Sequence, residues 1–210
     1  MKTKILTLSI ATVALLTAFT NKETVKSVTV AKVAETAFKM DAKASTIDWT
    51  GEKVTGKHTG NINFASGEFN LAKESITGGW FEVDMTSMTC TDMKGEYADK
   101  LLGHLKSEDF FSVEKNNKSK FVISSVAPLT GDALNNTTVT GKLTIKGITN
   151  DITFPANVKV IKGTVVAFAD VKVDRTKYEI KYGSKNFFEG LGDKAISDEF
   201  LLKLKIVANK

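Results

Sequence analysis

The sequence predicts an all-β fold, an extended antiparallel barrel of about eight strands with one or two short helices in its long loops. Three observations carry this reading. Apolar and polar residues alternate over most of the chain from Ser45 onward, so each strand has one apolar and one polar face. Short turns containing Gly or Asn, such as Lys162-Gly163-Thr164, separate the runs. Several runs are about ten to twelve residues long, roughly 33 to 40 Å at 3.3 Å per residue, which suits a tall barrel better than a compact sandwich. One-sided strands exclude a doubly wound parallel sheet, whose strands are buried on both faces.

The N-terminus MKTKILTLSIATVALLTAFT carries Lys2 and Lys4 ahead of an uncharged, mostly apolar run from Ile5 to Phe19. That run is short for a spanning helix and matches the apolar region of a secretory signal. We expect residues 1–20 to be a signal peptide, the alternative being an uncleaved anchor, and the chain to be exported, periplasmic or secreted. Residues 21–43 are mixed in charge with weak periodicity and read as a linker or arm ahead of a barrel over 44–210.

The first run places Ile47 and Trp49 opposite Asp48, Thr50 and Glu52. Ile62 and Phe64 keep even numbers, whereas Phe69 and Leu71 are odd, so the register shifts near Ala65 to Gly67; a β-bulge at Gly67 would do this. Phe81, Val83 and Met85 follow, with Trp80, Glu82 and Asp84 on the other face. The second half continues with Phe121, Ile123 and Ser125, then Val139, Gly141, Leu143 and Ile145. In LTIKGITNDITF, Leu143, Ile145, Ile152 and Phe154 form an apolar strip on a hairpin turning at Gly147. A strand near Val165 to Val173 and a last one with Phe200, Leu202, Leu204 and Ile206 complete the set.

Two segments break the alternation. In Met88 to Lys118, Tyr97, Leu101, Leu102 and Leu105 fall on one face of a short helix, and Ser107 with Glu108 and Asp109 resembles a capped helix start. In Tyr178 to Ile196, Phe187 and Phe188 lie among glycines, either as a lid at a cavity mouth or as a plug of one barrel end.

The formal net charge is +5, falling to +3 without Lys2 and Lys4, and Arg175 is the sole arginine. Lysines scattered singly among apolar residues lack the basic patches and arginine forks of nucleic-acid readers, so no nucleic-acid partner is expected. Cys90 is the only cysteine, which precludes an internal disulfide and suits a small packed residue better than a nucleophile. No H-x-x-x-H, paired CxxC or G-x-S-x-G occurs. His58 and His104 are the only histidines; with Asp92 or Asp99 they could form a metal or acid–base site, or each could tie a loop to a strand. Arg175 beside Asp174 reads as a structural clamp or a ligand contact.

The stretches IDWTGEKVTGKHTGNINFASGEF (47–69), GGWFEVDMTSMTCTD (78–92), HLKSEDFFSV (104–113), KFVISSV (120–126), VTGKLTIKGITNDITFPA (139–156) and DRTKYEIKYGS (174–184) resemble the YceI-like family of exported polyisoprenoid-binding proteins. The resemblance runs from about Ser45 to the C-terminus, with Asn117 and the spacing of DKLLGHL departing from the family pattern. It implies a lipocalin-like barrel that holds a polyisoprenoid, isoprenoid quinone or similar lipid in an apolar tunnel, without catalytic residues, metal or any other cofactor. Transient membrane contact and a homodimer are compatible with it. The tunnel wall is then expected at Trp49, Phe64, Phe81, Val83, Met85, Phe121, Ile123, Leu143, Ile145, Ile152, Phe154 and Phe168, with Phe110, Phe111, Phe187 and Phe188 at the mouth. Burying about ten methylenes is worth roughly 8 kcal/mol before association entropy is subtracted, so such a ligand needs no polar motif. Two other readings stay open: a His-dependent metal enzyme, and an envelope structural or adhesive domain using an outward Trp80.

Overall fold

The computed structural model describes residues 34–210; the expected signal peptide and residues 21–33 of the expected arm lie outside them. Nine strands follow in chain order: β1 (Glu35–Met40), β2 (Thr46–Lys53), β3 (Gly56–Ala72), β4 (Ser75–Asp84), β5 (Lys118–Pro128), β6 (Thr137–Ile145), β7 (Ile148–Ile161), β8 (Thr164–Asp174) and β9 (Glu199–Asn209). One α-helix, α1 (Glu96–Lys106), stands between β4 and β5.

Every pairing is antiparallel, and the order β3-β2-β9-β8-β7-β6-β5-β4 closes through a β3–β4 ladder. β1 and β2 share one place in this ring. β1 pairs with Leu71 and Phe69 of β3 and with Ala208 of β9, and β2 pairs farther along the same two strands. Between them Ser45 Oγ donates to the Asp41 carbonyl at 2.7 Å and accepts from Val207 N at 3.0 Å, stitching the interruption to β9. Eight staves therefore form the barrel, as the alternation predicts. The arm expected up to residue 43 is corrected at its end, because Glu35–Met40 is barrel strand and Phe38 is buried in the core. Only Phe38 and Met40 alternate here, behind Thr36, which is too short an apolar run to read as a strand.

Most expected faces hold. The β6–β7 hairpin pairs Val139 with Phe154 and Ile145 with Ile148, and turns on Lys146 and Gly147, both at positive φ. The register shift in β3 occurs with Ala65 as the extra residue opposite β4, not Gly67. Two further shifts have no sequence signal: Thr77 of β4 is the extra residue opposite Asn70 and Leu71, and between Ile123 and Ser125 the β5–β6 ladder skips Ser124, so Ser125 is exposed and Val126 turns inward. Short polar residues on both faces hide a bulge from pattern reading.

All loops carrying the non-alternating segments gather at one end of the barrel, together with the β2–β3 and β6–β7 turns. The helix exists with Leu101, Leu102 and Leu105 on its inward face as expected, and only Tyr97 leaves that face, its place taken by Ala98. Ala98, Leu101, Leu102 and Leu105 face the barrel, and Tyr97 is 76% exposed. Ser107 ends this helix instead of starting another, its Oγ donating to the His104 carbonyl at 2.8 Å.

Candidate functional site

The strands enclose two cavities in line. The proximal one, about 310 Å³, lies at the loop end and is lined by Trp49, Val83, Met85, Leu143 and Ile145 of the wall, by Leu101, His104 and Leu105 of α1, and by Phe110, Phe111 and Arg175 from the loops. The distal one, about 110 Å³, is lined by Phe64, Phe69, Phe81, Phe121, Ile123, Ile152 and Phe154 together with Ala156, Ala167 and Ala169. Ile47, Val83, Ser119, Leu143 and Leu202 border both and form the waist between them.

Thirteen of the expected wall and mouth residues therefore line a cavity with inward or partly buried side chains. Phe64 and Phe69 meet Phe81 edge-on at ring distances of 6.2 and 4.8 Å, and Phe121 tilts against Phe154 at 5.6 Å. Glycines opposite these rings keep them flat against the wall: a methyl on Gly67 would drive into Phe81, and one on Gly141 into Phe121. Phe168 borders the distal cavity but stands in the outward register of β8 and is 46% exposed, which corrects its place in the wall. Its neighbours Ala167 and Ala169 hold the inward positions.

Phe187 and Phe188 are corrected more completely. They line neither cavity, are 47% and 50% exposed, and Lys181 Nζ lies 4.9 Å from the Phe187 ring centroid. The residues that close the loop end are Phe110 and Phe111, with Phe111 edge-on to Phe200 at 6.0 Å. His104 stands edge-on to both Phe110 and Tyr182 at 4.9 and 4.6 Å, its Nε2 lying 3.2 Å from Asp109 Oδ2.

Arg175 organises the loops around this end. It is 3% exposed, and its Nε, Nη1 and Nη2 donate to the carbonyls of Ser197, Ile180 and Ile196 at 2.9, 2.7 and 3.2 Å. Nη2 also lies 3.3 Å from Asp198 Oδ1, and the guanidinium carbon sits 5.9 Å from the Phe110 ring centroid. Burial pulls its pKa down, opposed by Asp198 and Asp174. Three main-chain acceptors and a carboxylate occupy the fork, which makes Arg175 a clamp holding Tyr178 to Asp198 against the barrel.

The two histidines border the proximal cavity but engage different carboxylates. His58 Nδ1 is 2.8 Å from Asp92 Oδ2, and Asp92 Oδ1 accepts from Thr59 N at 2.8 Å and from Cys90 Sγ at 3.4 Å. Burial pushes the Asp92 carboxyl up, but the hydrogen bonds from Thr59, His58 and Cys90 outweigh it and hold the pKa down at about 2. Asp92 thus anchors the segment after β4 to β3, beside main-chain bonds from Thr89 to Asn61 and from Thr91 to Thr59. Among the described residues no group of three or more His, Cys, Asp or Glu side chains could hold a metal. Trp80 lies outward, with Lys120 Nζ 5.1 Å from its ring centroid. Among the described residues no helix is long and apolar enough to cross a membrane.

Closed staves, a polar exterior of Lys, Thr and Asp, and an apolar interior split into two cavities define a lumen-bearing antiparallel β-barrel. The chain belongs to the YceI-like family: the family model described as YceI-like domain matches residues 38–208. A UPF0312 protein of Staphylococcus epidermidis is 32% identical over 117 residues, a match that spans 47% of this chain and 60% of that relative's length. Among solved structures, BcnA of Burkholderia cenocepacia superposes with a TM-score of 0.61 at 21% identity, over 81% of this chain and 99% of that one. A polyisoprenoid binding domain from Saccharophagus degradans, implicated in plant cell wall breakdown, gives 0.56 at 15% identity, over 85% and 99%. At those identities the likeness is one of fold.

Proposed function

We propose that this protein is an exported, non-enzymatic carrier that holds one long apolar chain, a polyisoprenoid, isoprenoid quinone or similar lipid, along the barrel lumen. The observation that carries this is the pair of in-line apolar cavities sharing the Ile47–Val83–Leu143–Leu202 waist. A core meant only for stability is close-packed, with few voids larger than a water molecule. Here inward alanines and wall-seated aromatics leave space along the axis. Family membership and a neighbour that is itself a polyisoprenoid binding domain support the same ligand class. The polar side chains at the loop end, His58, His104, Glu52 and Lys53, suit the polar end of an amphiphile. Pickup of such a ligand would involve transient contact with a membrane.

Organic extraction of the natively purified protein followed by mass spectrometry tests this reading. A long-chain lipid is expected at a substantial fraction of one per barrel. Empty protein that also takes up no added isoprenoid alcohol would overturn it.

A further inference from the structure

We infer that the distal cavity is a chain-length gauge: the ligand enters tail first past the waist, and its terminal carbons end against the alanines of β7 and β8. This rests on the carrier reading above.

The orientation follows from the lining. The distal cavity exposes no polar surface to its interior, whereas the proximal one is bordered by His58, His104, Arg175 and Glu199. A polar headgroup placed distally would lose its hydrogen bonds to water without replacement, so it stays at the loop end. The distal space has an identifiable cause. In the ring order, β3 with β4 lies diametrically across from β7 with β8. The first pair contributes Phe64, Phe69 and Phe81, and the second contributes Ala156, Ala167 and Ala169, all six buried. Gly67 lets Phe81 lie back against its own strands, and the three alanines, set beside Phe154, Val158 and Val171 of the same two strands, leave the space in front of them open.

The size sets the gauge. A 150 Å³ apolar cavity holds a benzene, about six carbons. At that ratio the 110 Å³ distal cavity takes about four or five carbons, and the 310 Å³ proximal one about twelve. The free volume of the distal cavity, kept open by the alanine wall, therefore decides how long a chain is fully enclosed. Side chains that add carbons there should remove a similar number from the ligand.

The test uses the full chain, stripped of lipid and equilibrated with an equimolar series of saturated primary alcohols of increasing length, read by native mass spectrometry. Ala169→Leu adds three carbons from the alanine wall into the distal cavity, and the preferred alcohol is expected to shorten by about three carbons. Ala167→Val, a smaller change that keeps the fold if the leucine does not, is expected to shorten it by about two. Binding with an unchanged preferred length in a folded variant would overturn the gauge and leave the carrier reading intact. Wild-type protein that retains no alcohol of any length would overturn both.

Discussion

The two halves of the lumen are made from different kinds of sequence. The distal half is strand on every side: aromatic and aliphatic residues at every second position, glycines under the rings, alanines opposite them. The proximal half is closed by α1 and by loops whose shape depends on side-chain hydrogen bonds, chiefly those of Arg175 and Asp92. The distal half takes its form from period-2 patterning and ladder hydrogen bonds, so its geometry is distributed over many residues. The proximal half depends on a few polar side chains, so single substitutions there can remove a whole wall.

Removing Arg175 should give the largest effect. Arg175→Ala leaves the buried Ile180 carbonyl, the partly buried Ile196 and Ser197 carbonyls and Asp198 without their donor, and is expected to destabilise the fold by about 3 to 5 kcal/mol in urea titrations. Arg175→Lys, with a single ammonium in place of the fork, should recover less than half. A loss below about 1 kcal/mol would mean the loops hold themselves.

Phe81→Ala comes next and probes the distal side. It empties the ring that meets both Phe64 and Phe69, with an expected cost of about 3 to 4 kcal/mol, whereas Leu105→Ala on α1, half-buried beside the cavity, should cost about 1 kcal/mol. Equal costs would erase the contrast between a packed wall and a lid. Ile145→Glu places a carboxylate in the proximal lumen and should cost about 2 to 3 kcal/mol together with all lipid occupancy. On the outer face Lys205→Glu should change stability by no more than about 0.5 kcal/mol.

The smallest expected effect is at Asp92. Its folded pKa of about 2 lies below its ordinary 3.8, so its contribution is present in full above the ordinary carboxylate range and is lost as pH falls from about 4 to about 2. Partial exposure keeps that contribution below about 1 kcal/mol. Asp92→Asn should flatten this part of the acid limb of the stability curve; an identical limb in the variant would assign it to other carboxylates.

The same contrast explains what could be read in advance. The strands and nearly all wall positions were legible, because one buried face imposes alternation that a single strand displays by itself. The lining alanines Ala156, Ala167 and Ala169 carry no sequence signal of a cavity, since alanine is as ordinary on an outer face as on an inner one. Phe168 is an aromatic in the outward register of β8, whose inward positions belong to the smaller Ala167 and Ala169. At the loop end, Tyr97 is the one expected helix-face residue that points outward, because its ring counts as apolar while its hydroxyl favours water. Phe187 and Phe188 point to the mouth only as adjacent aromatics in a glycine-rich loop, a pattern that does not say which way the rings face. The Arg175 clamp holds that loop so that Ile180 and Ser184 are buried and the two rings are left outside. The carbonyl partners that decide this, Ile180, Ile196 and Ser197, have no signature in the order of residues, because any residue type offers the same carbonyl.

The central claim, that an apolar chain lies inside the lumen, can be read from the two tryptophans. Trp49 lines the proximal cavity with its Nε1 donating to the Thr89 carbonyl at 3.1 Å, and Trp80 stands on the outer face under Lys120. With Trp80→Phe, titration of a brominated long-chain alcohol should quench Trp49 emission saturably at one alcohol per barrel, and with Trp49→Phe it should leave Trp80 emission unchanged. Quenching of Trp80 with Trp49 untouched would place the chain outside the barrel and contradict the account.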